Sequence, residues 1–324
     1  MAEQTLRAAA AERGFDVGAA VDADALATDP SYRRRLAREF TAVTPENALK
    51  MGPLRPSPDT YDFGDADAVV GFARAHDMRV RGHTLVWHNQ TPSWFRPWEY
   101  TDDEIGEFLR THVHTVAGRY RSAIDTWDVV NEAVADDGEM RETVWYDALG
   151  EEYLDLAFGW ADEVAPDADL YYNDYGADAV NGKSDAVYDL LSRLLGRGVP
   201  VDGVGLQLHA LGDWPDPDSV AENVARFRDL GLDVEITEMD VAFPAGEAPP
   251  DALARQADYY AEVVETCLDA GVDSLTVWGV DDARTWLRSF REFPERYTGD
   301  PLLFDDAGDP KPAYHAVRDA LGRS

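Results

Sequence analysis

Short apolar runs rich in β-branched residues recur along the chain, and longer segments with apolar residues at helical spacing separate them. A run of this kind predicts a strand buried on both faces of a parallel sheet. Such strands are expected at residues 15–21, 40–44, 78–87, 124–130, 170–173, 201–208, 234–237 and 275–280. The segments between them predict helices near residues 4–13, 32–39, 66–75, 102–118, 146–164, 177–195, 219–230, 253–270 and 312–321.

Eight strand–helix units in series predict a closed parallel (β/α)8 or TIM barrel, as a single domain over residues 1–324. No Pro/Ser-rich linker, low-complexity tract or obvious repeat divides the chain. The main alternative is an open, doubly wound sheet. That fold is disfavoured because no Gly-x-Gly-x-x-Gly turn follows the first predicted strand.

The charge balance adds information about partners and environment. The formal net charge is −34, from 29 basic and 63 acidic residues, and lysine occurs only at Lys50, Lys183 and Lys311. Such a charge repels nucleic acids and anionic membranes, so neither is expected as a partner. We interpret the acidic surface as a halophilic adaptation, because molar salt shortens the Debye length to ~3 Å and relieves the self-repulsion. The alternative is an ordinary acidic enzyme.

Two of the predicted strands lead directly into a glutamate. The run 127–131 is followed by Glu132, and the run 234–237 is followed by Glu238. Parallel barrel strands deliver the residues at their carboxyl ends to one rim, where barrel enzymes carry their chemistry. Cleavage of a glycosidic bond needs two carboxyl groups, one to protonate the leaving oxygen and one to meet the cation-like sugar. The pair therefore predicts a carbohydrate-cleaving enzyme.

Other strand ends carry residue types that bind sugars. Side chains at positions i and i+2 of a strand share a face. This pairs Gln207 with His209, and it pairs Glu238 with Asp240 if the seventh predicted strand stays extended through Asp240. Amides, imidazoles and carboxylates bind hydroxyl groups, and indoles stack on sugar faces. The concentration of these groups where strands end is typical of a site rather than a core.

The order of these motifs is specific. The chain contains TPENALK (residues 44–50), RGHTLVWH (81–88), WDVVNEA (127–133), GLQLH (205–209), ITEMD (236–240), VWGVDD (277–282) with Trp286, PLLFD (301–305) and KPAY (311–314). This set resembles the motif series of glycoside hydrolase family 10, and the resemblance extends from about residue 8 to residue 321. The family consists chiefly of endo-β-1,4-xylanases on (β/α)8 barrels, and it retains anomeric configuration.

The resemblance implies a role for individual residues. Glu132 would be the general acid/base and Glu238 the nucleophile. Asp240 would orient His209, which would hydrogen-bond Glu238, while Tyr175 and His88 would have supporting roles. The implied substrate-binding residues are Glu46, Asn47, Lys50, His83, Trp87, Asn131, Gln207, His209, Trp278 and Trp286.

The expected substrates are xylan and xylo-oligosaccharides, hydrolysed by a monomer without metal ion or organic cofactor. Two alternatives stay open, namely another retaining β-1,4-glycanase such as a cellulase, and a xylan-binding protein without turnover. A polymer this large cannot enter cells, so an extracellular location is expected. The first four residues nevertheless lack the apolar core of a signal peptide.

Overall fold

The computed structural model describes residues 4–289 and 293–323. Within these residues, nine strands form one parallel sheet: β1 Asp16–Val21, β2 Ala42–Pro45, β3 Arg79–Val86, β4 Thr126–Asn131, β5 Asp169–Asp174, β6 Gly203–Leu206, β7 His209–Leu211, β8 Asp233–Ala242 and β9 Ser274–Val277.

The sheet closes on itself. Strands β1 to β6 pair in sequence order, β6 pairs with β8, β8 pairs with β9, and β9 returns to β1. The short strand β7 continues the line of β6 and pairs with the end of β8. The result is a closed barrel of eight parallel strands, which confirms the predicted fold and excludes the open sheet.

Helices surround the barrel. They are α1 Leu6–Arg13, α2 Ala23–Thr28, α3 Pro30–Glu39, α4 Met51–Leu54, α5 Gly64–Ala75, α6 Asp102–Tyr120, α7 Val144–Leu149, α8 Glu152–Val164, α9 Gly182–Gly196, α10 Pro217–Asp229, α11 Ala252–Ala270, α12 Phe293–Arg296 and α13 Pro312–Gly322. Short 3-10 helices occupy Pro97–Glu99, Asp282–Arg284 and Trp286–Arg288. In the described part of the chain, no helix is long and apolar enough to span a membrane.

Two predicted helices are wrong in their extent. The helix expected at 146–164 is two helices, because Gly150 adopts a positive φ of 63° that helical backbone does not permit. The helix expected at 177–195 begins only at Gly182, where the Asn181 side chain caps the amide of Ser184. The prediction also missed the short helix α2, whose amino end is capped by Asp22.

Two predicted strands end earlier than expected. The run 201–208 breaks after Leu206 because Leu208 takes a left-handed φ of 57°, and its amide donates a 2.7 Å hydrogen bond to the buried Asp178 carboxylate. The chain resumes strand geometry at His209. The run 275–280 ends at Val277, and Gly279 follows with a φ of 144°.

Candidate active site

A cleft of about 790 Å³ lies over the carboxyl ends of the strands. It is lined by nearly all the residues expected to bind substrate or to react: Glu46, Asn47, Lys50, His83, Trp87, His88, Asn131, Glu132, Tyr175, Gln207, His209, Glu238, Trp278 and Trp286. Asp240 lies behind His209 and is fully buried. The structure therefore brings the predicted site together.

Glu132 follows the last residue of β4 and is held from several directions. Its backbone has a left-handed φ of 60°, and its amide donates a 2.8 Å hydrogen bond to the carbonyl of Asn173. Its carboxyl group accepts hydrogen bonds from Trp87 Nε1 at 2.9 Å, Asn131 Nδ2 at 3.1 Å and Gln207 Nε2 at 3.2 Å. The group is thus buried but fixed in a polar setting at the cleft floor.

Glu238 lies within β8 and is surrounded by donors. Asn173 Nδ2 donates to its Oε1 at 2.7 Å, His209 Nε2 lies 3.3 Å from its Oε2, and His83 Nδ1 lies 3.9 Å from Oε1. Burial raises the pKa of Glu238, but the charge of His83 and the hydrogen bond and charge of His209 outweigh it, so the pKa lies below its ordinary value. The side chain is therefore an ionised carboxylate near neutral pH.

His209 connects this carboxylate to a second one. Its Nδ1 lies 2.9 Å from Asp240 Oδ1, and Trp286 Nε1 donates to Asp240 Oδ2 at 2.6 Å. Burial lowers the pKa of His209, but Asp240 and Glu238 together raise it to about 10. The imidazole is consequently protonated, and both of its nitrogens donate.

Asn173 at the end of β5 was not among the predicted site residues. Its Nδ2 donates to Asn131 Oδ1 at 2.8 Å as well as to Glu238, while its Oδ1 accepts from Thr237 Oγ1 at 2.7 Å. Gly205 on the neighbouring strand leaves room for it, because a Cβ there would lie 2.2 Å from Asn173 Oδ1. The position of Asn173 at a strand end was the available signal.

A buried ion-pair network beneath the cleft was also missed. Asp128 accepts from His83 Nδ1 at 2.9 Å and forms an ion pair with Arg81, which reaches Glu235 Oε2 at 3.0 Å. Burial raises the pKa of Asp128, yet Arg81 and His83 bring it below the ordinary value. Asp128 thereby fixes the ring of His83. The signal was a pair of opposite charges on adjacent strands within apolar runs.

Polar groups and indoles meet at one part of the cleft. Lys50 Nζ donates to Asn47 Oδ1 at 3.1 Å, Asn47 Nδ2 donates to Glu46 Oε1 at 3.2 Å, and Lys50 Nζ lies 4.9 Å from the ring centroid of Trp87. Burial lowers the pKa of Lys50 and raises that of Glu46, although each opposes the shift of the other. Such donors and acceptors beside an aromatic wall suit a sugar ring.

Tyr175 lines the cleft in a cluster of charged residues. Its hydroxyl donates to Asp136 Oδ1 at 2.5 Å and accepts from Arg141 Nη2 at 3.1 Å, while Lys183 Nζ lies 3.4 Å from its ring centroid. Lys183 in turn pairs with the buried Asp174 at 3.0 Å. The ring is therefore fixed rather than free to rotate.

These features define a class of protein. Two buried carboxyl groups in one cleft, joined through amide side chains and surrounded by indoles, are the arrangement of a glycoside hydrolase. Among residues 4–289 and 293–323, no group of three or more His, Cys, Asp and Glu side chains is placed to hold a metal ion.

Comparison with known proteins identifies the family. The model for "Glycosyl hydrolase family 10" matches residues 5–320, and the chain belongs to this family. Endo-1,4-beta-xylanase B of Thermotoga neapolitana is 41% identical over 291 residues, which cover 90% of this chain and 83% of that protein. The structure of native xylanase 10B from Thermotoga maritima has a TM-score of 0.92 and 40% identity, over 98% of each chain.

A second solved relative contains a sugar. The structure of xylanase 10B from Thermotoga petrophila RKU-1 in complex with xylobiose has a TM-score of 0.93 and 39% identity, over 99% of this chain and 98% of that one. The predicted family and enzyme class are confirmed. The roles of individual site residues, the single-domain assignment and the monomeric state stay predictions.

Proposed function

We propose that the protein is an endo-1,4-β-xylanase that hydrolyses internal xylosidic bonds of xylan with retention of configuration. The observation that carries the proposal is the chain of amides between the two carboxyl groups. Asn173 donates both to Glu238 and to Asn131, and Asn131 donates to Glu132. These hydrogen bonds hold the two carboxyl groups at the floor of the same cleft, where a single sugar ring can contact both.

In the first step, the ionised Glu238 attacks the anomeric carbon and the glycosidic carbon–oxygen bond breaks. Glu132 transfers its proton to the departing oxygen, so the leaving sugar is released as an alcohol. The product of this step is a glycosyl ester on Glu238.

In the second step, water hydrolyses the glycosyl ester on Glu238. Glu132 gave its proton to the leaving group in the first step, so it now acts as the base. Glu132 accepts a proton from water, the water oxygen bonds to the anomeric carbon, and the ester bond to Glu238 breaks. Two inversions at one carbon give net retention.

The remaining cleft residues bind and shape the substrate. Asn131 is assigned to the 2-hydroxyl of the attacked sugar, with Gln207 and His83 positioning the same ring. Glu46, Asn47 and Lys50 bind the next sugar on the non-reducing side, and Trp87 forms a wall of the cleavage subsite. Tyr175 stacks on the leaving-group side, and His88, 3.9 Å from Glu132 Oε2, has a supporting role.

The preference for a pentose follows from crowding. Trp278 and Trp286 stand beside His209 at ring-centroid distances of 6.3 and 5.0 Å, and they leave little space for the hydroxymethyl group of glucose. Release of reducing sugar from xylan but not from carboxymethyl-cellulose is the expected result. Equal rates on the two polymers would favour the cellulase-like alternative.

Two further measurements separate the other possibilities. Proton NMR of early products from a xylo-oligosaccharide should detect the β-anomer first, whereas early α-anomer would exclude a retaining mechanism. Retardation in a xylan gel without release of reducing sugar would instead identify a binding protein that lacks turnover.

We also propose that the protein works at high salt and outside the cell. All three lysines are buried, and each contacts a polar partner: Lys50 contacts Asn47, Lys183 contacts Asp174 and Lys311 contacts Asp282. The solvated surface therefore carries arginine and an excess of acid, which suits a high-salt environment. We expect export because xylan is too large to enter a cell. The test is to assay the culture supernatant and the cell extract of the source for the protein, which should be found in the supernatant.

A further inference from the structure

The chain after Glu132 folds back as a tight hairpin. Val134 and Met140 form an antiparallel bridge, and the amide of Arg141 donates a 2.8 Å hydrogen bond to the carbonyl of Ala133. The hairpin returns the side chain of Arg141 to the peptide that follows Glu132. This arrangement joins the loop to the carboxyl end of β4.

The guanidinium of Arg141 makes three hydrogen bonds there. Nε donates to the carbonyl of Glu132 at 2.8 Å, and Nη2 donates to the carbonyl of Val134 at 3.1 Å and to the hydroxyl of Tyr175 at 3.1 Å. Arg141 and Tyr175 both line the cleft. One side chain thus contacts the backbone of the expected acid/base and the aromatic residue expected to hold the leaving sugar.

The backbone of Glu132 needs such support. Its φ of 60° lies in the left-handed region, which is unfavourable for a residue with a Cβ and persists only when the surroundings hold it. The amide of Glu132 is held by the carbonyl of Asn173, and its carbonyl is held by Arg141. Loss of the second contact would leave the peptide free to rotate and would move the carboxyl group.

We propose that Arg141 is a positioning residue for proton transfer, and that it couples the orientation of the Glu132 carboxyl group to the position of Tyr175 on the leaving-group side of the cleft. The inference rests on the proposed function of Glu132 as acid/base. Displacement of a reacting group by about 1 Å lowers a rate on the order of 100-fold. The hydrogen bonds of Arg141 go to two backbone carbonyls and to the Tyr175 hydroxyl, so its effect should appear in steps that depend on the proton of Glu132 or on the position of Tyr175.

The test is the dependence of kcat/KM on the leaving group. Aryl β-xylobiosides from 2,4-dinitrophenyl to phenyl, together with xylotetraose, are assayed with the wild type and with Arg141→Ala and Arg141→Lys. For Arg141→Ala we expect a loss of about 10- to 100-fold with phenyl and xylotetraose, and a loss of less than about 3-fold with dinitrophenyl, which departs without a proton. Arg141→Lys should lie between the two, since an ammonium cannot reproduce the planar fork.

Controls separate positioning from folding. The burst of dinitrophenolate counts active sites and so measures any misfolded fraction directly. Such a fraction would lower the apparent kcat/KM for all substrates by the same factor. Arg197→Ala removes the same charge from a surface arginine that pairs with Glu151 and Asp155, and it should leave the leaving-group profile unchanged. Tyr175→Phe combined with Arg141→Ala should be non-additive on xylotetraose, because the two side chains share a hydrogen bond.

The outcomes are distinguishable. A steep leaving-group dependence in both Glu132→Ala and Arg141→Ala supports the proposal. A steep profile in Glu132→Ala with a uniform loss or no loss in Arg141→Ala overturns the role of Arg141 and leaves the proposed function intact. A flat profile in Glu132→Ala overturns the proposed function itself. Additive effects of the Tyr175 and Arg141 variants overturn the coupling to the leaving-group side.

Discussion

His209 and Asp240 occupy paired positions on adjacent strands, and their side chains meet at 2.9 Å between Nδ1 and Oδ1. The register of β7 on β8 therefore fixes an ion pair directly behind Glu238. This pair depends on the break at Leu208, which ends β6 and restarts the strand at His209. Its consequence is an imidazolium that stabilises the ionised carboxylate of Glu238.

The pair predicts a loss of stability at alkaline pH. Burial opposes protonation of His209, but Asp240 and Glu238 raise its pKa to about 10, above an ordinary value near 6.5. A raised pKa contributes stability that is complete below about pH 6.5 and is lost as pH rises towards 10. Asp240→Asn should lower the free energy of unfolding near pH 7 by roughly 2–4 kcal/mol and flatten its decline between pH 7 and 10.

Denaturant titrations at several pH values measure this effect. Asp155→Asn, which removes a surface carboxylate bonded to Arg197, should change stability little and leave the pH dependence parallel to the wild type. If the free energy of unfolding of Asp240→Asn depended on pH in parallel with that of the wild type, the proton on His209 would contribute nothing to stability.

Replacement of the nucleophile should abolish turnover. Glu238→Ala removes the group that bonds to the anomeric carbon, so activity on xylan and on activated aryl xylobiosides should both fall by several orders of magnitude. Glu295→Ala removes a carboxylate from helix α12 as a control and should retain activity. Near-normal hydrolysis by Glu238→Ala would assign the nucleophile to another residue.

Replacement of the acid/base should give a different signature. Glu132→Ala keeps the nucleophile, so 2,4-dinitrophenyl β-xylobioside should still form the glycosyl-enzyme and then stall. Added azide, which attacks without a base, should restart turnover and yield the β-xylobiosyl azide. Mass spectrometry identifies that product, and an α-configured azide or no rescue would contradict the assignment.

The buried network below the cleft should matter for stability. Arg81→Met leaves Asp128 and Glu235 without their shared partner, and breaking a buried ion pair costs about 3–5 kcal/mol. Thermal unfolding should therefore begin at a clearly lower temperature than in the wild type. Arg110→Met is a suitable control, because Arg110 and its partner Glu107 are both exposed. An unchanged Tm for Arg81→Met would show that the two acids are neutral or relax into solvent.

The surface charge predicts a response to salt. With a net charge of −34, unfolding should occur at a higher temperature in 2 M KCl than in dilute buffer, since the Debye length falls from about 10 Å at 0.1 M to less than about 3 Å. Sucrose stabilises proteins without screening charge and serves as the control. A Tm that responds equally to both solutes, or to neither, would remove the halophilic interpretation.

The fold was largely predictable because its signal is local. All eight barrel strands were placed from apolar runs, since a strand buried on both faces is apolar over most of its length. The errors occurred where the backbone conformation of a single residue decides where a helix or strand ends. The positive φ at Gly150 divides one predicted helix, and that at Leu208 breaks one predicted strand.

The catalytic candidates were predictable because they follow strands in order. Their partners were less so, because hydrogen bonds between distant strands leave little trace in local sequence. Asn173 lies 65 residues from Glu238, yet it donates to that carboxylate. Arg141 comes from a loop, and nothing in its neighbours indicates that its side chain turns back to the carbonyl of Glu132.

The sequence by itself determined the eight-unit barrel, the acidic surface and the two glutamates at strand ends, because apolar periodicity and composition are properties of short segments. Only the tertiary structure decided which groups contact those glutamates and fix their orientation. The protonated His209 and the series of amides through Asn173 arise because the barrel brings separate strands within hydrogen-bonding distance. The contacts of Arg141 arise because the hairpin after Glu132 folds back onto the end of β4.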